Sequence, residues 1–114
     1  MNNMKKKKLP ILVAFLAAAL AAQAKEIEVS QKGKAFAVQK STVHDLRVNV
    51  GDTLSFRNDD PFFHNVFSAS KAKEFDLGSY AQGQSKKVTF DREGGVDIEC
   101  AIHPDMKLHV DVVK

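Results

Sequence analysis

The chemistry of this 114-residue chain concentrates in one short run, Cys100-Ala101-Ile102-His103-Pro104-Asp105-Met106. The run offers a thiolate, an imidazole and a thioether, all from one loop between two candidate strands. Soft sulfur beside imidazole selects copper over magnesium, calcium or manganese. A copper site that carries electrons needs a second imidazole from elsewhere in the chain. His64, in Asp59-Asp60-Pro61-Phe62-Phe63-His64-Asn65-Val66-Phe67, is the candidate. It follows a Pro-containing turn and opens a strand, so it can point into the same end of the fold as Cys100 and His103. Two imidazoles and a thiolate form a trigonal set, with Met106 as a weak, long axial ligand. Such a set tolerates both Cu(II) and Cu(I), so little has to move when an electron arrives or leaves.

Each of these residues also has an ordinary use. His103 suits a surface loop, His64 a surface turn, and Met106 core packing beside Leu108 and Val110. Cys100 suits burial as a small hydrophobe. Taken together, the pattern favours the metal. Met106 is the only methionine beyond residue 4, and Cys100 is the only cysteine, so no internal disulfide can form. A metal would both occupy that thiol and drive its ionisation. His44 lies in a polar stretch, and His109 is out of phase with Leu108 and Val110. Both are expected to be structural rather than ligands.

The elements that must position these donors read as short strands. Ile27 and Val29 alternate with Glu26, Glu28 and Ser30, and a turn is expected over Gln31–Lys34. Phe36 and Val38, then Leu46, Val48 and Val50, keep the period of two. After the Gly51-Asp52 turn come Leu54 and Phe56, then a short strand over Val66–Ser68. Val88 and Phe90, Val96 and Ile98, and Leu108, Val110 and Val112 complete the pattern. The stretch from Phe67 to Ser85 is less regular, with a short helical turn expected over Lys71–Glu74. The spacing predicts an all-β sandwich of seven to eight strands with Greek-key connections.

Residues 1–24 read as a secretory signal peptide: Lys5–Lys8, an apolar run from Leu9 to Ala22, and small residues in Ala22-Gln23-Ala24. The alternative is an uncleaved anchor, but the run is shorter than the roughly 18 residues a spanning helix needs. Cleavage before Lys25 leaves one domain, 25–114. The full chain carries 17 basic and 14 acidic residues. Without Lys5–Lys8 the balance is 13 to 14. The basic pI of about 9.0 therefore belongs mostly to the leader. A nucleic-acid partner has no single-sign field to bind.

The His64-Asn65-Val66 segment and the Cys100-x-x-His103-x-x-Met106 loop, set among Val-rich strands, resemble the cupredoxin family of small type 1 (blue) copper proteins. The resemblance covers essentially all of 25–114 and is of the plastocyanin-like and amicyanin-like kind. The two-residue gap between His103 and Met106, with Pro104 after the histidine, is similar to amicyanin. Plastocyanin and pseudoazurin have a longer gap. The resemblance implies one copper ion held by His64, Cys100, His103 and Met106, with Asn65 fixing the two ligand loops against each other. It also implies an electron path through the edge of His103, amid Pro61, Phe62, Phe63, Ile102 and Pro104.

The expected function is single-electron shuttling by a periplasmic carrier. Its partners would be a redox donor and acceptor, of which amicyanin suggests a dehydrogenase and a c-type cytochrome. A monomer is expected, with no stable membrane insertion after cleavage and no enzymatic activity. The alternative is a copper chaperone or storage protein, but those favour exposed Met-rich or His-rich sites. A multicopper enzyme would need His-x-His clusters, and a binuclear site a second cysteine; the sequence has neither. A catalytic Cys100–His103 pair would leave His64 and Met106 unexplained.

Overall fold

The computed structural model describes residues 23–114. All but the last two residues of the expected leader therefore lie outside the described residues. Ten strands run in chain order: β1 (Glu26–Lys32), β2 (Ala35–Val38), β3 (Ser41–Thr42), β4 (Asp45–Asn49), β5 (Thr53–Asn58), β6 (His64–Ser70), β7 (Lys73–Tyr80), β8 (Ser85–Thr89), β9 (Gly94–Glu99) and β10 (Lys107–Val113). No helix occurs among the described residues. The strands form two five-stranded sheets, ordered β3-β2-β1-β5-β8 and β4-β10-β9-β6-β7. Both are mixed, because β1 runs parallel to β5 and β4 parallel to β10.

The all-β sandwich is as expected, with more strands than the seven or eight read from the sequence. The two-residue β3 accounts for part of the difference. The larger departure is β7, which occupies the stretch expected to be irregular. No helical turn forms over Lys71–Glu74; Lys71 and Ala72 make a tight turn and the chain returns antiparallel to β6. Likewise Gln31 and Lys32 still belong to β1, and the turn is only Gly33-Lys34. Both turn residues have positive φ, 64° and 59°. That geometry matches the right-handed twist of the flanking strands.

Alternation along the strands builds the core between the sheets. Val29, Phe36, Leu54, Phe56 and Val88 face inward from one sheet, and Val48, Val66, Val96, Ile98, Leu108, Val110 and Val112 from the other. Phe36 and Phe56 meet edge to face at 6.0 Å. Burial of each large apolar side chain is worth about 1.5–3 kcal/mol. Gly94, at φ 140°, passes so close to Ala72 that a Cβ would lie 2.7 Å from the Ala72 Cβ.

At one end of the sandwich, the nearly buried Asp52 accepts backbone bonds from Lys25 N (2.9 Å) and Asn49 N (2.8 Å). These two bonds hold its carboxyl below the usual range. A depressed carboxyl contributes stability above its unfolded value of about 3.9, and that contribution is lost as pH falls through the folded value. Asp52→Asn should therefore lower stability at neutral pH and flatten its decline below about pH 4, as read by urea unfolding across pH 2.5–7, a window of roughly this span. Gly94→Ala should lower the urea midpoint by an amount equivalent to more than about 1 kcal/mol, because it combines a steric overlap with a disfavoured φ.

Candidate metal centre

Strand phase brings the donors together. Glu99 of β9 is flanked by Phe67 of β6 and Lys107 of β10. These three residues share one outward-facing position, so their neighbours Cys100, Val66 and Met106 turn inward. Cys100 continues the buried series Val96 and Ile98, and Met106 continues Leu108, Val110 and Val112. His64 lies two residues from Val66 on the same face of β6 and is fully buried. The connecting loop closes on itself, with Cys100 N donating to Met106 O (3.3 Å) and Met106 N to His103 O (2.9 Å). This closure folds His103 back toward the thiol.

The resulting cluster is His64, Cys100 and His103, whose ligand atoms all lie within 4.8 Å of one another. The Cys100 Sγ is 3.6 Å from His64 Nδ1 and 3.8 Å from His103 Nδ1. Taking zinc's bond lengths as a yardstick, about 2.1 Å to nitrogen and about 2.3 Å to sulfur, N and S would lie roughly 3.8 Å apart in a trigonal plane. The donor spacing thus fits a metal ion between the three atoms. Two imidazoles with one thiolate is a soft set of the kind copper takes. Met106 is 1% exposed and borders this loop. His44 and His109 stand apart from the cluster. His109 is part-exposed and pairs with Asp97 at 2.7 Å, which raises its pKa.

Two polar residues hold the cluster from behind. Asn65 Oδ1 accepts from Ala101 N (2.8 Å), tying the start of β6 to the Cys100 loop. Asp60, 5% exposed, places Oδ2 2.7 Å from His64 Nε2. Burial alone would raise the Asp60 carboxyl, but hydrogen bonds from His64, Gly33 and Lys34 bring it below its ordinary range. In the sequence Asp60 stands in Asp59-Asp60-Pro61, which reads as turn residues and gives no sign of this contact. The available signal was general: a metal-binding histidine commonly gives its other ring N–H to a carboxylate. Asn58, fully buried, sets the turn by donating to Phe62 O and Tyr80 O and accepting from Asp60 N.

The aromatic neighbours divide in an instructive way. Phe62 packs its ring against both imidazoles, 5.2 Å from His64 and 5.0 Å from His103. The two imidazoles are themselves 4.9 Å apart. Phe63 points outward and is 58% exposed, as is Ile102 at 48%. Pro61, Ala101 and Pro104 are also exposed, so an apolar surface surrounds the half-buried His103. Burial, followed by the nearby His64 and Lys34, lowers the His103 pKa. Its ring is therefore neutral near pH 7, the form in which imidazole binds metal.

No family model matches the sequence, and no curated protein sequence matches it. Solved structures do. A methionine-to-alanine mutant of amicyanin in its Cu(I) form aligns at TM-score 0.66 and 26% identity, covering 83% of this chain and 88% of that one. A proline-to-alanine mutant of amicyanin in its oxidised state aligns at 0.67 and 26%, with the same coverage. The copper-containing nitrite reductase of Thermus scotoductus SA-01 aligns at 0.68 and 24% over 78% of this chain. This chain spans only 22% of that enzyme, so that likeness concerns the fold. With its two-sheet sandwich, its His-Cys-His cluster and its likeness to amicyanin along most of both chains, this chain has a cupredoxin fold whose donor cluster fits a type 1 copper site.

Proposed function

We propose that this protein is an exported, monomeric electron carrier that binds one copper ion through His64, Cys100, His103 and Met106. The observation that carries the reading is the placement of both Nδ1 atoms around the Cys100 thiol at metal-spanning distances. Bound copper would supply a one-electron Cu(II)/Cu(I) couple, and the protein's own residues would do the rest. Cys100, His64 and Met106 are buried and set on strand ends, so water is excluded and the donors keep their places in both oxidation states. His103 is the one cluster member that is not fully buried. Its edge, ringed by Phe63, Ile102 and Pro104, would be the exit for the electron. Weak redox encounters use small interfaces, below about 1,200 Å² in total, which suits such a patch.

This role makes and breaks no bond in a substrate, so the protein is read as a carrier rather than an enzyme. The leader over 1–24 supports export and cleavage, with the periplasm as the destination. Likeness to amicyanin supports redox proteins as partners, a dehydrogenase as donor and a c-type cytochrome as acceptor.

The deciding measurement is the optical and EPR spectrum of copper-loaded protein from Lys25 onward. An intense visible band from thiolate-to-Cu(II) charge transfer is expected; a colourless Cu(II) form with a tetragonal EPR signal would sink the reading. Cys100→Ala should abolish the band. Met106→Leu should keep the colour and shift the reduction potential, as measured by redox titration.

A further inference from the structure

We propose that Asp60 is a positioning residue for the centre, and that it acts by tying His64 to the β1–β2 turn. The proposal deepens the copper reading above, on which its functional part rests. Its geometry is unusually complete for a single carboxylate. Asp60 Oδ1 accepts from Gly33 N at 2.7 Å, and Oδ2 accepts from Lys34 N at 3.2 Å. Oδ2 also meets His64 Nε2 at 2.7 Å. The Asp60 backbone is fixed in turn, because its N–H donates to Asn58 Oδ1 at 2.8 Å.

The turn is built to make these bonds. Gly33 and Lys34 both sit in the left-handed region, and their successive N–H groups converge on one carboxylate. Turns of this kind form concavities that favour an anion. A carboxylate that accepts a backbone N–H on each oxygen is acceptor-only. The proton between Oδ2 and Nε2 then belongs to His64. That choice leaves the lone pair on Nδ1, the atom facing the Cys100 Sγ at 3.6 Å. Asp60 thus selects the tautomer of His64 that can bind a metal beside the thiolate.

The turn reaches the other imidazole as well. Lys34 Nζ lies 5.7 Å over the Phe62 ring, and that ring packs against His64 and His103. A hairpin that donates no ligand therefore braces both histidines. Its two residues lie about thirty positions before His64 in the chain, so the coupling exists only in the folded sheet. The negative charge behind His64 makes its ring a stronger donor and favours Cu(II) over Cu(I).

The first test needs no metal. Nitrogen-15 shifts of the histidine rings in the metal-free protein should show His64 protonated on Nε2 with Nδ1 bare. A proton on Nδ1 overturns the proposal, whatever any variant does. The second test is Asp60→Asn, whose NH2 group cannot accept the Nε2 proton while its oxygen serves the turn. Copper affinity should fall about 10- to 100-fold, and the reduction potential should rise above that of the unchanged protein. Gly33→Ala, where an added Cβ meets nothing within 4 Å but φ is +64°, should raise the potential in the same direction by less. An Asp60→Asn protein that merely melts earlier, with tautomer, affinity and potential unchanged, overturns the proposal. A colourless copper form would count against the copper reading alone and leave the tautomer result standing.

Discussion

The centre depends on one constraint, the two-residue alternation of side chains across three neighbouring strands. Because Glu99 lies between Phe67 and Lys107, the inward positions at this end of the sheet fall to Cys100, Met106 and the Val66–His64 pair. A slip of one residue in β9 or β10 would turn the thiol or the thioether to the opposite face. The hydrophobic core prevents such a slip, since it would also expose Val96 and Ile98, or Leu108, Val110 and Val112. The same packing that stabilises the sandwich therefore aims the donors.

Alternation delivers the donors to one end, but it does not fix their rings. That task falls to buried and half-buried polar groups that hydrogen-bond across the turns. Asn65 joins the two donor segments through Ala101 N. Asp60 holds His64, and Asn58 holds the turn that carries Asp60. Phe62 fills the space beside both imidazoles. Buried polar networks are costly when incomplete, because an unpaired group loses its hydration without compensation. Around the donors the arrangement rests on backbone groups of the β1–β2 turn and of β7 as well as on side chains.

Much of this was legible in the sequence. Cys100, His103 and Met106 stand close together in one loop, and their soft chemistry is readable from residue type alone. His64 was readable from its place at a strand mouth among apolar neighbours. Asp60 was not, because its role depends on a turn 26 to 27 residues away that only the folded sheet brings near. Phe62 and Phe63 are adjacent, so the pattern told only that one must face away; packing against the imidazoles selects Phe62. Strand β7 was hidden by Gly78 and by its charged residues, although Phe75 and Leu77 keep the period of two. As an edge strand it pairs only with β6 and needs just one apolar face. Gln31 stands next to a Gly33 turn signal in the sequence, yet it lies fully buried in β1 with Tyr80 donating to its side-chain oxygen.

The register that aligns β6 with β9 also fixes an order of events. His64 and Cys100 are 36 positions apart in the chain, so their meeting is a non-local contact. Contacts of that kind form late, after loop-closure entropy has been overcome. A metal cannot find its donor set until both strands have docked. Until then the single thiol is open to oxidants and to thiols of other chains; afterwards it is fully buried. The period of chemical vulnerability is thus the folding time itself, and any change that slows docking of β6 on β9 would lengthen it without altering the finished molecule.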